Sequence, residues 1–484
     1  MGLLGILVGL GFLIWLSYRG WTILLLAPAA ALIAAAFSRE PLLAHWTQTF
    51  MGSAAQFLAQ FFPLFLLGAL FGKLMDDSGS VRAISRYMSE RMGPSHAMLA
   101  VVLAGAAVTY GGVSLFVAFF VLAPMAQDLF RAANIPRRLM PAAIALGTST
   151  FTMSALPGTP AIQNAIPMPF FGTTPFAAPI LGIIASGIML AFGMWWLKRS
   201  QAAAERAGEG YGGADMLPAN GVADDQFIRE RATSAREFDT AELQHGQASE
   251  TLPPVALAAL PLATVVIVNF LMAMLVLPRL DFSFLAEDKW GSTSLSAVAG
   301  VWSVVVALAT ATVLLILINR ERLPNLRASI DAGANASVLP AVSVASLVGF
   351  GAVVAMLPAF AVVRDWVLSI GSNPLVSLAT ATNILAALTG SASGGLTIAL
   401  DALGETFVRI ASETGIDPSL LHRVAVISAG TLDSLPHNGA VVTLLAVCGT
   451  SHRESYRDLA MVAIVGAVVA LVVVIVLGSL FGSF

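Results

Sequence analysis

The sequence predicts an all-α, polytopic membrane protein of two inverted repeats of about five spans, each repeat carrying a re-entrant hairpin and a broken helix. Three observations predict it. Of 484 residues, 57% are hydrophobic and 11% charged, with a mean hydropathy of +0.84, where a soluble chain carries about a quarter charged residues. Apolar runs of spanning length recur along the whole chain. A pair of unusual motifs appears in the same order in both halves.

The few charges are concentrated, residues 198–250 holding 16 of the 53 Asp, Glu, Lys and Arg residues. Long apolar runs in lipid must satisfy their backbone hydrogen bonds internally, which makes them helices. The composition excludes a soluble enzyme, a nucleic-acid binder and a disordered chain, and a net charge of −3 offers no basic footprint for DNA or RNA. The single cysteine, Cys448, excludes an internal disulfide and a cysteine metal cluster. No metal site, cofactor or catalytic residue is expected, and no Walker pattern supports an ATP-driven pump.

In the first repeat, 1–198, spans are expected at 2–17, 21–37 and 55–75, followed by an amphipathic stretch at 79–91. The run 2–17 is kept as a span because its first charge, Arg19, follows the apolar core, whereas a signal peptide places its charge before it. A long run at 97–130 is interrupted by Thr109-Tyr110-Gly111-Gly112-Val113-Ser114, which reads as the tip of a re-entrant hairpin. Such backbone survives at membrane depth only inside protein or facing a water-filled cavity; two ordinary helices with a glycine packing face are the alternative. A broken helix is expected at 138–166 and a last span at 174–197. The second repeat, 253–484, repeats the order: spans at 255–277, 293–318 and 333–357, an amphipathic stretch at 358–371, a hairpin at 374–408 interrupted by Ser391-Ala392-Ser393-Gly394-Gly395-Leu396-Thr397, a broken helix at 419–449 and a span at 457–482. Leu156-Pro157-Gly158-Thr159 and Leu435-Pro436-His437-Asn438 break their helices because proline removes a donor and clashes with the preceding turn.

If each hairpin dips in and returns, each half crosses five times and the second half inserts upside down relative to the first. With the N-terminus outside, cytoplasmic loops and the connector hold 19 of the 25 Lys and Arg residues, in accord with the positive-inside rule. Arg39, Arg279, Lys289, Arg364, Arg409 and Arg423 are the outer six. Both termini are then periplasmic, and the polar segment 199–252 is a cytoplasmic linker, with a short helix expected near 224–243.

Hairpin tips and broken helices present unpaired backbone donors, which attract anions. No Arg or Lys lies in segments 106–116, 146–165, 389–398 or 429–440. These are dense instead in small polar residues, among them Thr148, Ser149, Thr150, Thr152, Ser154, Thr159, Gln163, Asn164, Ser391, Ser393, Thr397, Thr431, Ser434 and Asn438. That inventory suits a small hydroxylated monocarboxylate; the alternative is hydroxyls bonded to their own or neighbouring helices. Asp433 is the one acid within the broken-helix motifs. An acid at the centre of a span costs roughly 2.5–3.5 kcal/mol and marks an ion or proton path. It could carry a proton with help from His437, bind sodium, or cap a half-helix. Asp401 reads as an outer-surface residue.

Residues 147–164, Gly-Thr-Ser-Thr-Phe-Thr-Met-Ser-Ala-Leu-Pro-Gly-Thr-Pro-Ala-Ile-Gln-Asn, and 428–440, Ser-Ala-Gly-Thr-Leu-Asp-Ser-Leu-Pro-His-Asn-Gly-Ala, resemble the gluconate permease (GntP) family of bacterial symporters. The second stretch is most similar to the D-beta-hydroxybutyrate permease branch. The resemblance spans both halves but not the connector. It implies the ion transporter superfamily, with scaffold spans in 1–75 and 255–357, and a mobile transport domain of hairpins, broken helices and last spans. It also implies an elevator-type alternating-access cycle, a homodimer, a bacterial inner-membrane location and coupling to protons, sodium being used by relatives. Carried over by position, it places substrate at Gly111, Gly112, Ser114, Thr148, Ser149, Thr150, Gly158, Thr159, Gly394, Gly395 and Asn438, with Asp433 and His437 as ion-coupling candidates. The expected function is import of 3-hydroxybutyrate first and gluconate second, with no nucleic-acid partner. A passive anion facilitator and a sodium-coupled symporter are the alternatives.

Overall fold

A computed structural model describes residues 2–19, 21–212, 248–369, 373–436 and 438–484. The described residues form an all-helical, multi-span assembly. Seven helices are long and apolar enough to cross a membrane, or eight if one sharply bent pair counts as a span.

The first half runs α1 (Gly2–Tyr18), α2 (Ile23–Phe37), α3 (Leu42–Asp77), α4 (Ser80–Met92), α5 (Ala97–Tyr110), α6 (Leu115–Ala132), α7 (Met140–Thr148), a series of short turns, and α8 (Pro179–Arg206). The second half runs α9 (Val255–Arg279), α10 (Leu295–Ile318), α11 (Leu326–Met356), α12 (Phe360–Ser369), α13 (Pro374–Thr389), α14 (Ala392–Thr414), α15 (Pro418–Ala429), α16 (Gly439–Val447) and α17 (His452–Phe481). The two lists have the same order. The packing is reciprocal as well: α2 lies on α11 while α10 lies on α3, α3 and α11 cross, α9 touches α4 while α1 touches α12, and α8 packs along α17.

Helix α3 is 36 residues long, about 54 Å at 1.5 Å per residue, well beyond a hydrocarbon core of about 30 Å. It therefore starts 13 residues before the expected 55, continuing through a π-helical turn at His45–Phe50. Helices α5 and α7, of 14 and 9 residues, are too short to cross. The chain turns by 104° between α4 and α5, so amphipathic α4 lies across the direction in which α5 enters.

Helices α5 and α6 form the first hairpin, α6 returning to the start of α5. Its tip is at Gly111–Ser114, where expected, and Gly112 adopts φ +100°, open to glycine alone without strain. The second tip is not where the glycine pair suggested. Gly390 ends α13, and the Ser391 hydroxyl accepts the Gly394 N–H at 3.1 Å to start α14. Gly394 and Gly395 thus lie in the first turn of a helix rather than in the turn between arms. Their role there is steric: a Cβ on Gly395 would lie 2.3 Å from the Ala386 backbone nitrogen.

Both proline breaks are present. After α7, one turn at Phe151–Ser154 leads into non-helical backbone around Pro157, then to short helices Ile162–Ala165 and Pro167–Phe171. After α15, a single 3-10 turn at Leu432–Ser434 precedes Pro436 and α16. Helix α8 continues to Arg206, so the expected linker 199–252 begins inside it. The linker's described ends are docked: the Tyr211 N–H donates to Asn134 at 3.1 Å, and the Ser249 N–H donates to the Asp77 carbonyl at 2.7 Å. The helix expected near 224–243 falls outside the described residues.

Three polar residues lie deeper than the loop-based reading put them. Lys73, 3% exposed, pairs with buried Asp77 at 2.9 Å, and Ser329 donates to the same carboxylate at 2.6 Å. Arg423, taken as an outer-loop cation, is fully buried one turn inside α15. Asp401, taken as an outer-surface acid, is half-buried on α14 beside Gly351 of α11.

Close approach at Gly395 is testable. Gly395→Ala should cost about 1–3 kcal/mol by overpacking, seen as a lower thermal-unfolding midpoint in detergent. Gly187→Ala on α8, where a Cβ meets nothing within 4 Å, should show no loss.

Candidate functional site

The two breaks and the two hairpins face each other around a pair of adjoining cavities. The larger, about 170 Å³, is walled by Gly112, Ser114 and Leu115 at the first hairpin tip, Pro160 to Gln163 after the first break, Leu64, Phe65, Gly68 and Ala69 of α3, Ser337, Pro340 and Val344 of α11, and Ser393. The smaller, about 30 Å³, is walled by Ser149, Ser154, Gly430, Asp433, Ser434, Asn438 and apolar residues of α6 and α16. Leu115, Met153 and Gln163 belong to both walls. Among the described residues, no Lys or Arg lines either cavity.

Four of the expected substrate positions line this space: Gly112 and Ser114 the larger cavity, Ser149 and Asn438 the smaller. Asp433 lines the smaller cavity in the 3-10 turn and accepts a hydrogen bond from the Ser434 hydroxyl at 3.1 Å. His437 lies outside the described residues. The other positions sit behind the wall. Gly111 faces Leu262, and Gly394 faces Leu347. Gly158 donates its N–H to the Pro175 carbonyl at 2.9 Å, and its own carbonyl accepts from Asn269 of α9 at 2.9 Å. Thr159 is fully buried and accepts from the Ala161 N–H at 3.4 Å.

The dense hydroxyls have a structural use. A helix that stops inside protein leaves its last carbonyls without partners. Thr148 donates to Ile144 O at 2.8 Å, Thr150 to Leu146 O at 2.7 Å, Thr152 to Gly147 O at 3.0 Å and Ser154 to Thr150 O at 3.0 Å. In the second half, Ser428 and Thr431 donate to Val424 O and Ile427 O at 2.6 and 2.7 Å. Five residues of the cluster, Thr148, Thr150, Thr152, Ser154 and Thr431, thus bond to the backbone of their own broken helices, the alternative left open by the sequence.

Each break is also tied to its hairpin. The Tyr110 hydroxyl donates to the Pro157 carbonyl at 2.8 Å. Asn438 accepts the Ala440 N–H at 2.6 Å, capping α16, and donates to the Gly390 carbonyl at the second tip at 2.7 Å.

A model of the GntP family permeases matches residues 1–206. A transporter of Bacillus subtilis (strain 168), YxjC, described as uncharacterized, is 40% identical over 489 residues, covering all of both chains. The chain belongs to the GntP permease family. It is a transporter and not an enzyme, and its apolar helices make it a multi-pass membrane protein.

Within this permease, sequence reasoning passed over His422 and Arg423. Asp417 caps α15 and Pro418 opens it, a helix-start signature that places both basic residues one turn inside the helix rather than in the preceding loop. From there they reach the opposite half. The Arg423 guanidinium donates to Ala155 O at 3.1 Å and twice to Ala177 O, at 3.1 and 2.6 Å. His422 sits between Thr173 at 2.6 Å and Asn164 at 3.1 Å. Asn164 donates its amide to Thr159 O and Pro175 O, so its oxygen faces His422. The imidazole therefore carries its proton on Nε2, and the Thr173 hydroxyl donates to Nδ1.

Removing the guanidinium leaves buried carbonyls unpaired, each costing about 1–3 kcal/mol. Arg423→Met should therefore lower the unfolding midpoint strongly. Arg423→Lys should restore only part of it, because a point cation cannot span two carbonyls as a planar fork does. Thermal unfolding of the purified proteins checks both.

Proposed function

We propose that this permease is a secondary active symporter, importing a small hydroxy monocarboxylate across a bacterial inner membrane with a coupling cation. The substrate is 3-hydroxybutyrate first and gluconate second, and the cation is the proton. The observation that carries the reading is Asp433 in the small compartment beside a larger cavity whose described lining residues include no Lys, Arg or His. A carboxylate substrate entering that space meets no Lys or Arg among the described lining residues and is repelled by an ionised Asp433, through a medium where charges interact strongly. Proton or cation capture at Asp433 removes that repulsion. Anion and cation then load together, which is symport by electrostatics.

The reading takes the halves as inverted repeats. The shared element order and the reciprocal packing of α2 on α11 and α10 on α3 support it. In that frame α1–α3 and α9–α11 form the scaffold, and the hairpins, breaks, α8 and α17 form the elevator-like unit that crosses with its cargo. The termini are periplasmic and the connector cytoplasmic. Asp401, on α14 against α11, is the competing acid for the coupling role.

Purified permease in proteoliposomes should accumulate labelled 3-hydroxybutyrate when a pH gradient, inside alkaline, is imposed. Accumulation driven by a sodium gradient alone would assign sodium instead, and failure of both gradients to drive accumulation would sink symport. Asp433→Asn should abolish gradient-driven accumulation while keeping substrate exchange; Asp401→Asn should keep both.

A further inference from the structure

We infer that Gln163 is a substrate-contacting residue that reads the hydroxy acid from the wall between the two cavities, its amide donating to the carboxylate and accepting from the hydroxyl. The inference deepens the proposed function and rests on it.

Gln163 is 5% exposed, lines both cavities, and has a side-chain oxygen that is buried with no hydrogen-bond partner. Its neighbour shows that the segment is not short of partners. Asn164, fully buried, bonds to Thr159 O at 3.0 Å, Pro175 O at 3.1 Å and His422 at 3.1 Å. Two adjacent amides in one short turn are thus treated oppositely: one is saturated by the protein, and the other, on a residue of the cavity wall, keeps a buried oxygen without a partner. A buried polar atom left without a partner is costly and rare in a native fold. At a cavity wall, the missing partner is supplied by what enters the cavity.

The chemistry of an amide narrows that partner. An amide offers two N–H donors and an oxygen acceptor side by side. A carboxylate alone satisfies only the donors. A hydroxyl near the carboxylate supplies a proton to the oxygen as well. A small hydroxy acid therefore completes Gln163, while the same acid without its hydroxyl leaves the buried oxygen unpaired. Sites built to bond a substrate hydroxyl reject the analogue lacking it far more strongly than apolar pockets reject a size change. Position adds a second consequence. Gln163 borders the compartment of Asp433, so substrate held by the amide lies next to the group that takes the cation.

The test compares 3-hydroxybutyrate with butyrate as competitors of labelled 3-hydroxybutyrate exchange in proteoliposomes, an assay that needs no gradient. The wild-type permease should prefer 3-hydroxybutyrate by about tenfold or more. Gln163→Met, similar in length and apolar, should erase most of that preference, whereas a residue that only supports the fold would lower both affinities together. An unchanged preference in a folded Gln163→Met protein overturns the inference. If Gln163→Met does not fold, or if the wild type exchanges neither acid and the substrate reading itself fails, Gln163→Cys decides. The native Cys448 is fully buried and gives a low background. Labelling of Gln163→Cys by a small charged methanethiosulfonate, slowed by at least one acid from a panel of short mono- and dicarboxylates, supports the contact. Absence of labelling, or labelling that no acid slows, overturns it.

Discussion

The whole arrangement follows from one constraint: a backbone group inside a bilayer must find its hydrogen bond within the protein. Pro157 and Pro436 interrupt two helices at depth and leave carbonyls and N–H groups that no helix satisfies. Threonine hydroxyls fold back onto last-turn carbonyls of α7 and α15. Tyr110 and Asn438 tie the breaks to the hairpin tips. Arg423 reaches across from the other half to take the carbonyls that remain. The small amount of polar surface left over at the centre is what faces the cavities.

That remainder is uneven in its chemistry. Among the described residues its lining includes one carboxylate and no Lys, Arg or His. The cation that could have balanced it, Arg423, is spent on backbone carbonyls instead. The fold thus fastens the Arg423 charge to structure, while the Asp433 carboxylate lines the smaller cavity. Under the proposed symport, such a site takes an anion together with a cation, and its selectivity comes from groups that bond in both senses, such as amides and hydroxyls.

The order of spans was legible because apolar length and proline position are properties of the chain itself. The Pro157 and Pro436 breaks, the first hairpin tip and the amphipathic α4 and α12 lie where their residues put them. What was illegible depended on packing partners that the residue pattern does not name. Gly394 and Gly395 resemble a turn, yet Gly390 and Ser391 end and begin the helices there, and only the presence of Ala386 opposite explains the glycine at 395. Arg423 and Lys73 read as loop cations until their buried partners are known. The serine and threonine inventory suggested ligand contacts, but each hydroxyl carries an unseen choice between its own helix and a cavity. Gln163 was one polar residue among many, and only its lack of a partner separates it from Asn164.

The Arg423 clasp bears on how the molecule is made. Ala155 and Arg423 are 268 positions apart in the chain, so the carbonyls exposed by the first break wait for a donor until nearly the entire polypeptide has left the ribosome. Neither half can finish its own interior, and each enters the bilayer as an incomplete module. Biogenesis must therefore hold the early half open in the insertion machinery, or in water-lined form, until the late half arrives. A split gene would face the same demand: its two products would need each other at birth rather than after maturation.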